Sequence, residues 1–185
     1  MIYCAKAVFL VLATAVPTHA LADWSGAYTG LLVGSSITNE LSVEEDGGFA
    51  NYQPDSGTTF SAFAGYNAQD DDFVFGGEFA FLIVPDTRLG IDGEEFSLDF
   101  DAFDMKGRVG YAFNNILFYG VAGVSRIYAA EARANGFNLG VGADYDLENN
   151  IVFGMEYLAR RAAGEAGAVD DVGFDALVLR AALRF

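Results

Sequence analysis

The amino-acid sequence predicts an all-β protein, a closed eight-stranded antiparallel up-and-down β-barrel that crosses a membrane. Three observations carry this: an export-type leader, a hydrophobic alternation of period two after it, and turn-forming residues between the alternating segments. The alternation has an unusual sense. In residues 73–83, Phe73, Phe75, Phe79, Phe81 and Ile83 share one parity with Gly77, while Val74, Gly76, Glu78, Ala80 and Leu82 share the other. A half-buried strand of a soluble protein places its polar residues outside. Here the one charge sits among small side chains, as expected where a bulky apolar face meets lipid and a small face lines a narrow lumen.

The first element is residues 1–22. Lys6 opens it, an apolar run follows from Ala7 to Val16, and Ala20-Leu21-Ala22 forms a small-x-small cleavage site before Asp23. Such a run is too short for a membrane-spanning helix, which needs about 20 residues. The expectation is therefore a cleaved signal peptide over 1–22 and one barrel domain over 23–185. Cys4 and His19, the only cysteine and histidine, both fall in the leader. The expected mature chain thus lacks disulfides, thiol nucleophiles, imidazole bases and any metal site built on sulfur or imidazole.

Eight strands follow, over roughly 24–37, 58–68, 73–84, 98–113, 116–129, 136–146, 150–161 and 174–185. Short connectors (69–72, 114–115, 147–149) alternate with longer ones (38–57, 85–97, 130–135, 162–173). Asn114-Asn115 suits a tight hairpin, because asparagine tolerates positive φ. Short turns mark the periplasmic end of bacterial barrels, and an even strand number returns both termini to that side.

Without Lys6, the 10 basic and 26 acidic residues become 9 and 26, a net charge near −17. Nucleic acid is an improbable partner for such a chain. Much of the acid falls in the longer connectors: Glu40, Glu44, Glu45, Asp46 and Asp55 in the first, Asp86, Asp92, Glu94 and Glu95 in the second, Glu165, Asp170 and Asp171 in the last. These read as a solvated, mutually repulsive surface, with carboxylates able to collect divalent cations beside lipopolysaccharide.

Several motifs then occur in order: Trp24-Ser25-Gly26-Ala27-Tyr28-Thr29-Gly30, Gly65-Tyr66-Asn67-Ala68-Gln69, Gly107-Arg108-Val109-Gly110-Tyr111-Ala112-Phe113-Asn114-Asn115, Tyr119-Gly120-Val121-Ala122-Gly123 and Gly140-Val141-Gly142-Ala143-Asp144-Tyr145. Together they resemble the alphaproteobacterial small outer-membrane β-barrel family, the 25 and 31 kDa surface antigens and opacity-like porins. The transmembrane domain of outer membrane protein A is a more distant likeness. That second resemblance implies a lumenal charge set on Glu78, Arg108 and Asp144, with Gly154 standing where the relative has a strand-seven arginine.

With Glu78 inward, the period of two turns Lys106, Arg108, Asp144, Glu156, Arg160 and Arg180 inward as well. Isolated buried charges are costly, so these should pair. Eight strands leave an interior that side chains just fill, which predicts a plugged lumen and no open channel. Arg126 is ambiguous, since residues 116–129 read poorly in either register. At the end, Leu177, Leu179, Ala181, Leu183 and Phe185 share one parity. The pattern resembles the signal read by the barrel-assembly machinery, with Leu183 and Phe185 as its residues.

The expected function is non-enzymatic, in envelope structure and surface contact, without cofactor. Expected partners are outer-membrane lipid, lipopolysaccharide and, during insertion, the assembly machinery. A narrow porin is the alternative. Less favoured are a lipid-modifying enzyme, whose usual histidine is missing, and a soluble lipocalin-like binder.

Overall fold

The computed structural model describes residues 22–45, 48–52, 58–91, 94–129, 132–147, 149–164 and 169–185. The leader up to residue 21 lies outside them. The strands are β1 Gly26–Glu45, β2 Gly48–Tyr52, β3 Thr58–Asp70, β4 Phe73–Ile91, β5 Glu94–Phe113, β6 Ile116–Ala129, β7 Ala132–Asp146, β8 Ile151–Gly164 and β9 Val169–Arg184. All pair antiparallel with their neighbours, and β9 returns to β1 to close the sheet. β2 and β3 meet the same edge of β1, at 41–45 and 26–35, and together make one stave. The barrel therefore has eight staves, as the alternation predicts.

Both faces follow from the alternation. Along β4, Phe73, Phe75, Phe79, Phe81 and Ile83 are exposed, whereas Val74, Glu78, Ala80 and Leu82 are buried. On β5 the outward apolar side chains run from Phe103 to Phe113. At ~3.3 Å per residue and a tilt of ~40°, that is a band roughly 25 Å tall, the thickness of an outer-membrane hydrocarbon layer. No helix among the described residues is long and apolar enough to cross a membrane. Crossing by strands alone requires closure, because an open edge would leave backbone groups unpaired in lipid.

The short turns carry the described non-glycine residues with positive φ, namely Asp71 at 50°, Asn114 at 54° and Asn150 at 61°. Aspartate and asparagine tolerate this region because their side chains can bond locally to the backbone. At the closing seam Gly26 adopts φ 116°, and a Cβ there would lie 2.6 Å from the Phe185 carbonyl oxygen. Only glycine fits that position.

The expected long connectors are shorter than the hydropathy suggests. Glu40, Glu44 and Glu45 belong to β1, Asp86 to β4, Glu94 and Glu95 to β5, and Asp170 and Asp171 to β9. Asp46, Asp55, Asp92 and Glu165 lie outside the described residues. Above the lipid a ladder needs only backbone hydrogen bonds, so it persists where apolar alternation stops. One irregularity falls between Val84 and Thr87. Pro85 sits there, and a bulge accommodates its missing N–H.

Candidate functional site

The lumen is built in layers. At the periplasmic end, Trp24 from the segment before β1 packs into an apolar cluster with Val74, Leu117, Val121, Val152 and Leu158. Its backbone N–H donates to Gln69 Oε1 at 2.7 Å, and the Arg184 guanidinium lies 5.2 Å from its ring centre. Arg184 also pairs with Asp146. At the external end, Leu82, Ala102, Ile127, Ala134 and Ala162 form another apolar layer, with Phe174 packed on it.

Between them lies an ionic core of three cations and three anions. Glu78 on β4 faces Lys106 on β5 in the ladder, and the Lys106 Nζ lies 2.8 Å from both Glu78 Oε1 and Glu156 Oε1. Arg180 reaches Glu78 Oε2 at 2.6 Å and Glu156 Oε2 at 2.8 Å. Its Nε lies 3.4 Å from Asp144 Oδ1, without hydrogen-bond alignment. Arg108 pairs with Asp144 and stacks 3.5 Å above the Tyr119 ring. The Tyr28 and Tyr119 hydroxyls donate to Glu78 and Glu156, each at 3.1 Å. A second group lies nearer the external end. Arg160 donates to Asp104 through Nε at 3.2 Å and Nη2 at 2.6 Å, while Ser125 donates to the same carboxylate at 2.6 Å.

All seven residues assigned inward, Glu78, Lys106, Arg108, Asp144, Glu156, Arg160 and Arg180, are at most 4% exposed. One expected partnership differs. Arg108 is 3.9 Å from Glu78, the limit of an ion pair, and its close partner is Asp144. The ladder explains this, because Glu78 faces Lys106 directly and Arg108 stands one inward position further along β5. Asp104 escapes the sequence reading although it shares the parity of Lys106 and Arg108; following the period one step further would have found it. Arg126 points outward and lies 5.8 Å from the Tyr128 ring centre.

Gly154 has a physical role. It lies between Asp144 on β7 and Arg180 on β9 in the ladder, and a Cβ there would collide with the Asp144 carboxylate. The absent side chain leaves room for the Asp144 carboxylate, and the guanidinium comes from the next strand. Leu183 and Phe185 point outward, 50% and 77% exposed, while the Phe185 N–H donates to the Ala27 carbonyl at 2.9 Å across the seam.

This arrangement holds charge across the middle of the lumen. Each ionic side chain is held by opposite charges or hydroxyls, and apolar clusters lie toward both ends.

Residues 7–185 match the outer membrane protein beta-barrel domain family. The 25 kDa outer-membrane immunogenic protein of Brucella abortus is 29% identical over 148 residues, covering 73% of this chain and 64% of that protein. The 22 kDa outer membrane protein of Rhizobium leguminosarum is also 29% identical, covering 72% and 64%. The chain thus spans less than two thirds of the length of these relatives. Among solved structures, outer membrane protein OprG of Pseudomonas aeruginosa superposes with a TM-score of 0.58 at 15% identity, covering 89% of this chain and 98% of that one.

Proposed function

Since the chain belongs to the outer membrane protein β-barrel domain family and its place is the outer membrane, we propose that it is a non-enzymatic envelope barrel whose function lies on its surfaces. The observation that carries this reading is the set of buried ion pairs across the lumen. Glu78, Glu156, Lys106 and Arg180 bridge it at its middle, with Trp24 and its neighbours below and the Leu82 layer above. A solute would have to break several buried ion pairs to pass, and each broken pair leaves charges unpaired. What remains for function is the outer face, in contact with lipid and lipopolysaccharide, and the external rim.

Insertion by the barrel-assembly machinery belongs to the same proposal. Its support is the outward position of Leu183 and Phe185 at the closing seam, where another protein can reach them before the sheet closes.

Single-channel recording tests the function. Purified protein in planar bilayers should give no discrete conductance steps while remaining inserted. Regular steps of uniform size would overturn the proposal in favour of a narrow porin.

A further inference from the structure

From residue 23 onward the chain carries nine basic residues against 26 acidic ones. Lys106, Arg108, Arg160 and Arg180 are used inside the lumen and Arg184 at its periplasmic mouth. Three outward-facing basic side chains fall in one place. Arg126, Arg133 and Arg161 lie on the adjacent staves β6, β7 and β8, close to their external ends.

Their height is defined by their ladder partners. Arg126 faces Phe103 on β5 and Asn135 on β7, Arg133 faces Tyr128, and Arg161 faces Phe137. Phe103 and Phe137 face outward, and the next residues on that face are Asp101 and Asn135. The three guanidiniums therefore sit where hydrocarbon gives way to headgroups, on the side away from the short turns. Two are held in place: Arg126 lies over the Tyr128 ring, and Arg161 pairs with Asp175, which also accepts from the Tyr157 hydroxyl at 2.8 Å. Asp101 is half-exposed opposite Tyr128, so Arg126 and Arg133 outnumber the carboxylate beside them.

A second feature lies directly below. The lipid-facing surface dips into a shallow groove floored by Gly107, Gly120, Ala122 and Ala159, with Leu139 and Tyr157 along it. A Cβ added to Gly107 or Gly120 would meet nothing nearer than 3.6 Å and 3.8 Å, so these glycines are not required by packing. Ala122 is four residues from Arg126 along β6, or about 13 Å. Ala159 is two residues from Arg161 on β8, about 7 Å. Those distances fit one molecule with an acyl chain in the groove and an anion at the rim.

We propose that this face is a specific site for one phosphorylated acyl lipid of the outer leaflet, of the lipid A class, with its phosphate held by Arg126, Arg133 and Arg161 and an acyl chain along the Gly107–Ala122 groove. Guanidinium matches phosphate in geometry as well as charge. The inference rests on the outer-membrane reading above and names the partner of that surface.

The test is native mass spectrometry of the full barrel in detergent, titrated with bis-phosphorylated lipid A and with the dephosphorylated form. The wild type should bind one phosphorylated lipid saturably, at least about tenfold more tightly than the dephosphorylated lipid, as expected for charge-assisted hydrogen bonds. Arg126→Ser with Arg133→Ser should abolish that preference, and Ala122→Phe should weaken both lipids alike. Unsaturable binding, equal affinity for both lipids, or an unchanged preference in the arginine variant would overturn the site. Gel mobility before and after boiling, run on every protein, separates the two readings: a retained shift with no lipid preference removes only the site, whereas loss of the shift in the wild type removes the barrel.

Discussion

Arg180 places its guanidinium 2.6 Å from the carboxylate of Glu78, a residue 102 positions earlier in the chain. The contact crosses the lumen from the last strand to the third stave. It ties together the two sides of the closing seam through a buried side chain rather than through the ladder alone. It also makes Glu78 a shared anion, since Lys106 holds its other oxygen.

Removing one member of a buried ion pair leaves its partner uncompensated and typically costs about 3–5 kcal/mol. Arg180→Met and Glu78→Gln should each destabilise the barrel in that range, with the double variant about 1–3 kcal/mol less unstable than the sum. The same cycle between Glu78 and Arg108, which are 3.9 Å apart, should give a smaller coupling. Urea titration in detergent measures both. A larger coupling for Arg108 would contradict this lumenal pairing.

Trp24 is the chain's single tryptophan and is 2% exposed in the periplasmic layer. It should fluoresce as a buried indole while resisting quenching by brominated detergent, because it faces the lumen and not the detergent belt. Efficient quenching in the folded state would place it on the outer face and contradict the plug. Trp24→Ala should cost about 3 kcal/mol or more, as for other large core truncations.

Phe185 is 77% exposed and fixed mainly through its backbone. Phe185→Ala should therefore change refolding into detergent little, with stability within about 1 kcal/mol of wild type. Insertion in cells should fall several-fold if the terminal aromatic is read by the assembly machinery. Equal amounts of inserted wild-type and variant protein would assign the residue to ordinary strand packing.

The barrel is legible in the sequence because lipid imposes a strict rule on every outward side chain. Phe73 to Ile83 alternate so cleanly that strand, face and lumen follow from parity alone, and the same parity turns Glu78, Lys106, Arg108 and Arg180 inward. The tight turns are legible at Asn114-Asn115, since few residues accept positive φ. The strand lengths are not legible. Above the lipid, Glu40 or Glu94 extends a ladder as readily as an apolar residue does, because the backbone alone makes the bonds.

Parity determines that a side chain points inward but not which partner it meets. Whether Glu78 takes Lys106, Arg108 or Arg180 depends on the register of non-adjacent staves and on the reach of each side chain across the lumen. The same holds for Gly154, which reads from sequence as a lost arginine. Only in the closed barrel does it stand between Asp144 and Arg180, leaving the space that the carboxylate fills. Arg126, Arg133 and Arg161 are likewise scattered along the chain and are gathered only by the pairing of β6, β7 and β8. Local chemistry sets the face of each residue, because alternation acts over neighbouring positions; closure sets the partners, because contacts across a lumen join residues that alternation cannot relate.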